Sequence, residues 1–149
     1  MRKIGVVTTS RADYGIYRPI LKALEQESAL NLYLLVSGTH LSDLFGMTVN
    51  QIMADGFEID ERIEINMTGR EPEAIAKSMS MALSGFSQAY TKDSPDILVV
   101  LGDRYEMYSA ALAAVPFNIP IAHIHGGELT EGAIDDAFRH SLTKLSHLH

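Results

Sequence analysis

Histidines, carboxylates and glycines are concentrated between residues 123 and 140. The stretch His123-Ile-His-Gly-Gly-Glu128 is followed by Ile134-Asp-Asp136 and by Arg139-His140. Paired acids beside histidines suit proton transfer to and from carbon or oxygen, because their surroundings can bring their pKa values toward neutrality. Such a density of ionisable groups after a short apolar segment is typical of a chemical site rather than of a simple loop.

The residue types alone leave other roles open for this stretch. His123 and His125, with Asp135, could hold a metal in a metal-dependent hydrolase, although the chain contains no helical His-Glu-x-x-His motif. The His-x-His spacing at a strand end also fits a network of neutral imidazoles. Gly126-Gly127 would let a ligand approach backbone amides closely.

Asp135, Asp136 and Arg139 fall on the first turns of a predicted helix. The two acids could cap that helix, because carboxylates are favoured near a helix N-terminus. Arg139 follows them by about one turn, so it could instead hold a carboxylate in a fixed orientation.

A second cluster, Gly102-Asp103-Arg104, follows the apolar segment Ile97–Leu101. Asp103 is the first polar side chain after five apolar residues. It could orient a sugar hydroxyl, act as a base, or cap the helix predicted to begin at Tyr105.

Polar residues also follow the first two predicted strands. Arg11 lies where the first strand leads into a helix and could clamp a phosphate bidentately, or could be a solvated arginine beside a capped helix. The segment lacks the glycines of a dinucleotide fingerprint and the Gly-Lys of a P-loop. His40 occupies the equivalent position after the second strand, so we expect it at the same rim, although a lone loop histidine is more often a surface residue.

Strands alternate with helices along the chain, which predicts an α/β fold with a parallel sheet and helices on both faces. Asp13 could act as the N-cap of the first helix. In such sheets ligands bind at the carboxyl ends of the strands, where the polar clusters fall. The predicted strands are Lys3–Thr8, Asn31–Val36, Glu61–Ile65, Ile97–Leu101 and Ile119–Ala122, and the helices are Tyr14–Glu25, Met47–Ala54, Glu71–Tyr90, Tyr105–Ala114 and Asp135–His147.

Length and composition narrow the class of protein. The 149 residues are 46% hydrophobic and 21% charged, which is typical of one globular domain. No apolar run approaches the length of a membrane span, and Met1-Arg-Lys leads directly into a strand, so we expect a cytoplasmic protein without membrane contact. There are no cysteines, and 12 basic against 19 acidic residues make nucleic acid an improbable partner. The chain stops at Ser146–His149, where another strand would normally follow, so we expect a truncated protein.

Several motifs run in order over nearly the whole chain and together resemble one family, the hydrolysing UDP-N-acetylglucosamine 2-epimerases of sialic-acid biosynthesis and their bacterial relatives acting on diacetamido sugars. The resemblance implies the N-terminal half of such an enzyme, residues 1–149, as one Rossmann-like, doubly wound domain of a glycosyltransferase-B-like architecture. The matching stretches are Ser10-Arg-Ala-Asp-Tyr14, Val36-Ser-Gly-Thr-His-Leu41, Gly46-Met-Thr48, Asp55-Gly-Phe-Glu-Ile-Asp60, Leu101-Gly-Asp-Arg-Tyr-Glu106, Asn118-Ile-Pro120, His123-Ile-His-Gly-Gly-Glu128, Ile134-Asp-Asp136, Arg139-His140 and Thr143-Lys-Leu-Ser-His-Leu-His149.

The resemblance implies elimination followed by hydration. A base removes the C2 proton of the UDP-sugar, UDP leaves from C1, and water adds to the glycal to release the 2-epimeric free sugar, N-acetylmannosamine in the case of N-acetylglucosamine. Neither a redox cofactor nor a metal is expected. The alternatives are a UDP- or GDP-linked diacetamido substrate of the legionaminate pathway, a non-hydrolysing epimerase, and a non-catalytic fragment that binds a sugar nucleotide.

The resemblance also assigns roles to individual residues. Some relatives have a catalytic Glu where this chain has His125, so the acid/base role there passes to His125 or Glu128. The expected catalytic residues are Asp103, His125, Glu128, Asp135 and Asp136, and the expected substrate-binding residues are Arg11, His40, Arg104, Gly126, Gly127 and Arg139.

The resemblance further implies a homo-oligomer, with Met47–Ala54 and Glu71–Tyr90 as candidate faces. A second domain would hold the uridine and close the cleft. We therefore expect weak or absent turnover from the 149 residues alone, because the cleft cannot exclude water.

Overall fold

The computed structural model describes residues 1–66, 68–129 and 134–149, and in these ranges parallel strands alternate with α-helices. This confirms the predicted α/β class. The elements are β1 Arg2–Thr8, α1 Arg11–Gln26, β2 Leu30–Ser37, α2 Val49–Ala54, β3 Glu61–Ile63, α3 Pro72–Lys92, β4 Ile97–Leu101, α4 Tyr105–Ala114, β5 Ile121–Ile124 and α5 Ile134–Leu145, with 3₁₀ turns at Gly38–Leu41, Asp43–Phe45 and Val115–Phe117.

The strands form one sheet in the order β3-β2-β1-β4-β5, and every pairing is parallel. From β1 the chain first builds outward through β2 and β3, and then crosses back to add β4 and β5 on the other side. The strand order therefore reverses between β1 and β4. A crevice opens at the carboxyl ends of the strands at such a switch point, and this is where open α/β sheets bind ligands.

Apolar side chains of the central strands form the core. Val6, Leu34, Leu35, Leu98 and Val100 are fully buried, as expected for parallel strands covered on both faces. No helix of the described ranges is both long enough and apolar enough to cross a membrane.

The first helix begins earlier than predicted. Ser10, not Asp13, is its N-cap, and the two residues form a capping box in which each side chain bonds the other's backbone N–H. The prediction that Asp13 is the N-cap was wrong because the Ser-x-x-Asp pattern places the acid three residues inside the helix.

The last strand begins later than predicted. A 3₁₀ turn at Val115–Phe117 and Asn118, which has φ 55°, lengthen the connection after α4. The strand therefore spans Ile121–Ile124 instead of Ile119–Ala122. As a consequence, His123 lies within the strand and not in the turn after it.

Candidate active site

Two cavities adjoin at the carboxyl ends of the strands and form one cleft. The larger, here called the basic cavity, has a volume of about 550 Å³, and its lining residues include Arg11, Arg70 and Arg104. The smaller, here called the acidic cavity, has a volume of about 320 Å³. Its ionisable lining residues are Asp13, Asp103, Arg104, His125, Glu128, Asp135 and Arg139. Both cavities share Ser10, Ala12 and Arg104, so Arg104 stands at their boundary.

The loop between β1 and α1 is organised by the buried carboxylate of Asp13. It accepts hydrogen bonds from the backbone N–H of Thr9 (3.1 Å) and of Ser10 (3.0 Å), and from the hydroxyls of Thr8, Thr9 and Ser10. Because these donors come from three successive residues, the carboxylate fixes the shape of the loop. This loop presents Ser10 and Arg11 to the basic cavity.

His40 lies behind the wall of the cleft. Its side chain is 0% exposed, with Nε2 2.9 Å from the Thr8 hydroxyl and Nδ1 2.8 Å from the Thr48 hydroxyl. The expectation that His40 touches substrate does not fit this conformation, because the buried ring joins the last residue of β1 to the N-cap of α2. Burial lowers the pKa of His40 and favours a neutral imidazole.

Arg104 is held by its neighbour Glu106. The guanidinium donates to both carboxylate oxygens of Glu106, with Nε 3.3 Å from Oε2 and Nη2 3.2 Å from Oε1. Glu106 is fully buried at the start of α4. This bidentate contact fixes the cation at the boundary between the two cavities.

Asp103 and Arg139 form the tightest ion pair of the acidic cavity that the described residues show. Nη2 of Arg139 lies 2.6 Å from Oδ2 of Asp103. Arg139 is only 9% exposed, and its Nε is buried with no hydrogen-bond partner among the described residues. Its other terminal nitrogen lies 3.7 Å from Oε2 of Glu128. The arginine thus contacts carboxylates from the loop after β4 and from the loop after β5.

His125 and Glu128 form a second pair in the same cavity. The backbone of His125 is left-handed, with φ 62°, and its Nδ1 lies 3.1 Å from Oε1 of Glu128. Their side chains are 46% and 59% exposed. The pKa of Glu128 is lowered, chiefly by the hydrogen bond from His125.

The two acids at the start of α5 point in different directions. Asp135 lines the acidic cavity, and partial burial together with the nearby charge of Asp103 raises its pKa. Asp136 does not line either cavity, and its Oδ1 lies 3.3 Å from Nε2 of His140. One residue along a helix rotates a side chain by about 100°, so the two acids face different directions.

Gly126 and Gly127 do not line either cavity. A Cβ on Gly126 would lie 2.8 Å from Nδ1 of His123 and 2.9 Å from the Thr143 hydroxyl. Gly126 is therefore required by packing in this conformation, not by the approach of a ligand. Gly127 has φ 77°, a left-handed conformation that glycine adopts without strain.

His123 is engaged inside the protein. It is 1% exposed, its Nε2 lies 2.7 Å from the carbonyl of Gly102, and its Nδ1 lies 3.1 Å from the Thr143 hydroxyl. Burial lowers its pKa, which fits the neutral imidazole considered above. Because both ring nitrogens have partners, His123 cannot join His125 and Asp135 as a metal ligand without breaking these contacts. Among the described residues, no three suitable side chains are grouped as metal ligands.

Arg70 is a cleft residue that we did not predict. It precedes α3 in the connection from β3 and lines the basic cavity. The signal was available, because Arg70 occupies a strand-to-helix connection like those that carry Arg11 and Arg104. Phe45, Thr48 and Tyr105 line the same cavity and were also not predicted.

Comparison with known proteins places the chain among nucleotide-sugar epimerases. It is 44% identical over its whole length to a UDP-N,N'-diacetylbacillosamine 2-epimerase (hydrolyzing) of Legionella pneumophila, and covers 39% of that protein. It is 43% identical over 99% of its length to a GDP/UDP-N,N'-diacetylbacillosamine 2-epimerase (hydrolyzing) of Campylobacter jejuni, and covers 38% of that protein. Identity to the UDP-N-acetylglucosamine 2-epimerase of Neisseria meningitidis is 30% over the whole chain, which covers 38% of that protein.

Solved structures agree on the fold. The crystal structure of UDP-GlcNAc 2-epimerase from Neisseria meningitidis bound to UDP-GlcNAc superposes with a TM-score of 0.83 at 20% identity, over 99% of this chain and 39% of that one. This chain thus spans about two fifths of the relatives that it matches. The sequence profile of UDP-N-acetylglucosamine 2-epimerase matches residues 22–149. The chain therefore belongs to the UDP-N-acetylglucosamine 2-epimerase family.

Proposed function

We propose that this chain forms the N-terminal part of a hydrolysing 2-epimerase that acts on a nucleotide-linked 2,4-diacetamido sugar, namely UDP-N,N'-diacetylbacillosamine. The observation that carries the chemistry is the division of one cleft into a basic and an acidic cavity at the switch point of the sheet. The choice of sugar is supported by relatives of that name at 44% and 43% identity, against 30% for the N-acetylglucosamine enzyme.

The basic cavity suits the leaving nucleotide. Arg11, Arg70 and Arg104 line it, and the bond from Arg104 to Glu106 fixes one of these cations in place. Fixed cations stabilise the charge that develops on a diphosphate as its bond to C1 breaks. We therefore assign these three arginines to the diphosphate.

The acidic cavity suits proton transfer at the sugar. A base removes the C2 proton, the electron pair forms the C1–C2 double bond, and the C1–O pair leaves with UDP. Water then adds its hydroxyl to C1, and a proton adds to C2 on the face opposite to the one from which the base removed the first proton. The raised pKa of Asp135 suits it to donate a proton, whereas the lowered pKa of Glu128 keeps that carboxylate ionised.

Proton NMR in D₂O tests this function. UDP-N,N'-diacetylbacillosamine, its GDP analogue and UDP-N-acetylglucosamine would each be incubated with this chain, and with this chain joined to the remaining part of the Legionella relative. We expect the nucleoside diphosphate (UDP, or GDP from the GDP analogue) and a free 2-epimeric sugar carrying deuterium at C2. They should form fastest from the first substrate and only with the joined protein. Asp103→Asn should abolish the reaction.

Other results would change the assignment. If UDP-N-acetylglucosamine reacts fastest, it is the substrate and N-acetylmannosamine is the product. Exchange at C2 with the nucleotide still attached would indicate a non-hydrolysing epimerase, and UDP binding without any turnover would indicate a binding fragment. A cytoplasmic location and self-association stay predictions.

A further inference from the structure

We propose that Glu128 is a positioning residue for His125: it fixes the imidazole tautomer so that a bare Nε2 faces the acidic cavity as the proton acceptor. This inference rests on the proposed function, and it separates two residues that the family resemblance left interchangeable. His125 would touch the reacting atoms, whereas Glu128 would act through His125.

The backbone at His125 brings the pair together. His125 follows the last residue of β5 and has φ 62°, a left-handed conformation that costs most residues energy but that histidine adopts more often than others. Such conformations persist where the surroundings determine them, and they cluster at functional sites. Here the turn returns the chain so that Oε1 of Glu128 lies 3.1 Å from Nδ1 of His125.

The contact determines which nitrogen carries the proton. An ionised carboxylate only accepts hydrogen bonds, so Nδ1 must carry hydrogen and Nε2 keeps its lone pair in the neutral ring. The lowered pKa of Glu128 supports the ionised form. An imidazole that takes a proton on Nε2 is then stabilised by the carboxylate at Nδ1, as in other histidine–carboxylate pairs.

The second oxygen of Glu128 is also held. Oε2 lies 3.7 Å from Nη1 of Arg139, whose Nη2 is bonded to Asp103. The carboxylate therefore stands between an imidazole and a guanidinium that is itself anchored to the end of β4. Because Glu128 is largely exposed, packing does not fix it, and these two polar contacts must do so.

The chain offers a matched control. His140 and Asp136 form another imidazole–carboxylate pair on α5, with Nε2 3.3 Å from Oδ1, and neither residue lines either cavity. His140→Gln removes a histidine of similar exposure and should leave activity unchanged.

Nitrogen-15 NMR of the histidine rings in this chain tests the tautomer without requiring turnover. At pH of about 8, above the usual histidine pKa, we expect His125, assigned by its loss in His125→Gln, to carry its proton on Nδ1. In Glu128→Gln we expect the proton to move at least partly to Nε2, while the His140 signals stay unchanged. Finding Nε2–H in the unaltered chain, or the same tautomer in Glu128→Gln, would overturn the proposal.

Kinetics of the joined protein test the consequence. We expect Glu128→Gln to lower kcat at least about tenfold with KM nearly unchanged, and added imidazole to restore part of the activity of His125→Gly but not of Glu128→Gln. An equal loss in His140→Gln, or no loss in Glu128→Gln, would contradict the inference. If the unaltered joined protein turns over no substrate, the proposed function fails, but the tautomer measurement still decides the pairing.

Discussion

Arg139 on α5 donates a hydrogen bond of 2.6 Å to Asp103 at the end of β4, and both side chains are largely buried. This contact joins the helix after the last strand to the strand end that carries the expected catalytic acid. It also fixes the guanidinium that approaches Glu128. The position of Asp103 in the cleft therefore depends on a residue 36 positions later in the chain.

Removing this cation should destabilise the fold. In Arg139→Gln the carboxylate of Asp103 keeps its partial burial but loses the guanidinium that lies 2.6 Å away, so we expect the free energy of unfolding to fall by about 3 kcal/mol. The matched control is Arg18→Gln, because the Arg18 side chain is 48% exposed and its partner Asp55 keeps hydrogen bonds from Tyr14 and Gln51. This variant should cost less than about 1 kcal/mol. Urea unfolding followed by circular dichroism measures both. Equal effects would show that the buried pair contributes no more than a surface one.

Gly126 should respond to substitution by alanine in the opposite way from a glycine within a helix. A Cβ at Gly126 would lie 2.8 Å from the His123 ring, so we expect Gly126→Ala to destabilise the protein by about 2 kcal/mol or more. Gly15 lies within α1 with open space around its Cβ position. Gly15→Ala should therefore stabilise the protein by about 0.5–1 kcal/mol. Thermal unfolding of both variants checks the opposite signs.

Most strands and helices could be predicted from the sequence, because short apolar segments indicate strands and apolar residues at helical spacing indicate helices. Both patterns involve only residues that are close together in the chain. The 3₁₀ turn at Val115–Phe117 was not predictable, because it depends on how the chain packs after α4, and it shifted β5 and placed His123 in the sheet. The sequence also predicted a ligand site at the carboxyl ends of the strands, where the polar clusters fall. However, patterning cannot tell which way a side chain faces, so Asp135 and Asp136 looked equivalent and His40 looked accessible.

We expect Asp13→Asn to destabilise the protein by more than the loss of a helix cap would, because Asp13 also holds the loop between β1 and α1. Its carboxylate accepts hydrogen bonds from Thr8, Thr9 and Ser10. In Asp13→Asn an NH₂ group would replace one acceptor oxygen and would face these hydrogen-bond donors. We expect a loss of roughly 3 kcal/mol in stability, since bonds to a buried charge contribute about 1.5–3 kcal/mol each. Glu73→Gln, in the first turn of α3, is the control and should change stability by less than about 0.5 kcal/mol. Loss of the Thr9 and Ser10 amide protection in hydrogen exchange would locate the effect.

Stability should fall as the solution becomes acidic. Burial lowers the pKa of His40 in the folded chain, so the unfolded chain binds this proton first, near the ordinary pKa of about 6.5. The stabilisation is therefore complete above that pH and is lost as pH falls toward the folded-state pKa. His123 has the same sign, while the Asp13 carboxylate near His40 opposes the shift. His40→Gln should flatten the dependence of urea midpoint on pH between about 7 and 5. An unchanged slope in His40→Gln would contradict this assignment.

Arg70 should bind the nucleotide, although it was not among the site residues predicted from the sequence. It lines the basic cavity with Arg11 and Arg104, and a guanidinium bonded to a phosphate contributes about 1.5–3 kcal/mol. We therefore expect Arg70→Gln to weaken UDP binding by the joined protein about tenfold, with a KM effect that exceeds the kcat effect, because the diphosphate is held in both ground and transition states. Arg62→Gln is the control, since Arg62 is exposed on β3 and lies outside both cavities. Isothermal titration with UDP at two salt concentrations would show a smaller salt dependence for Arg70→Gln than for Arg62→Gln. If both variants bind UDP like the unaltered protein, the basic cavity does not hold the diphosphate, and its arginines must serve another part of the substrate.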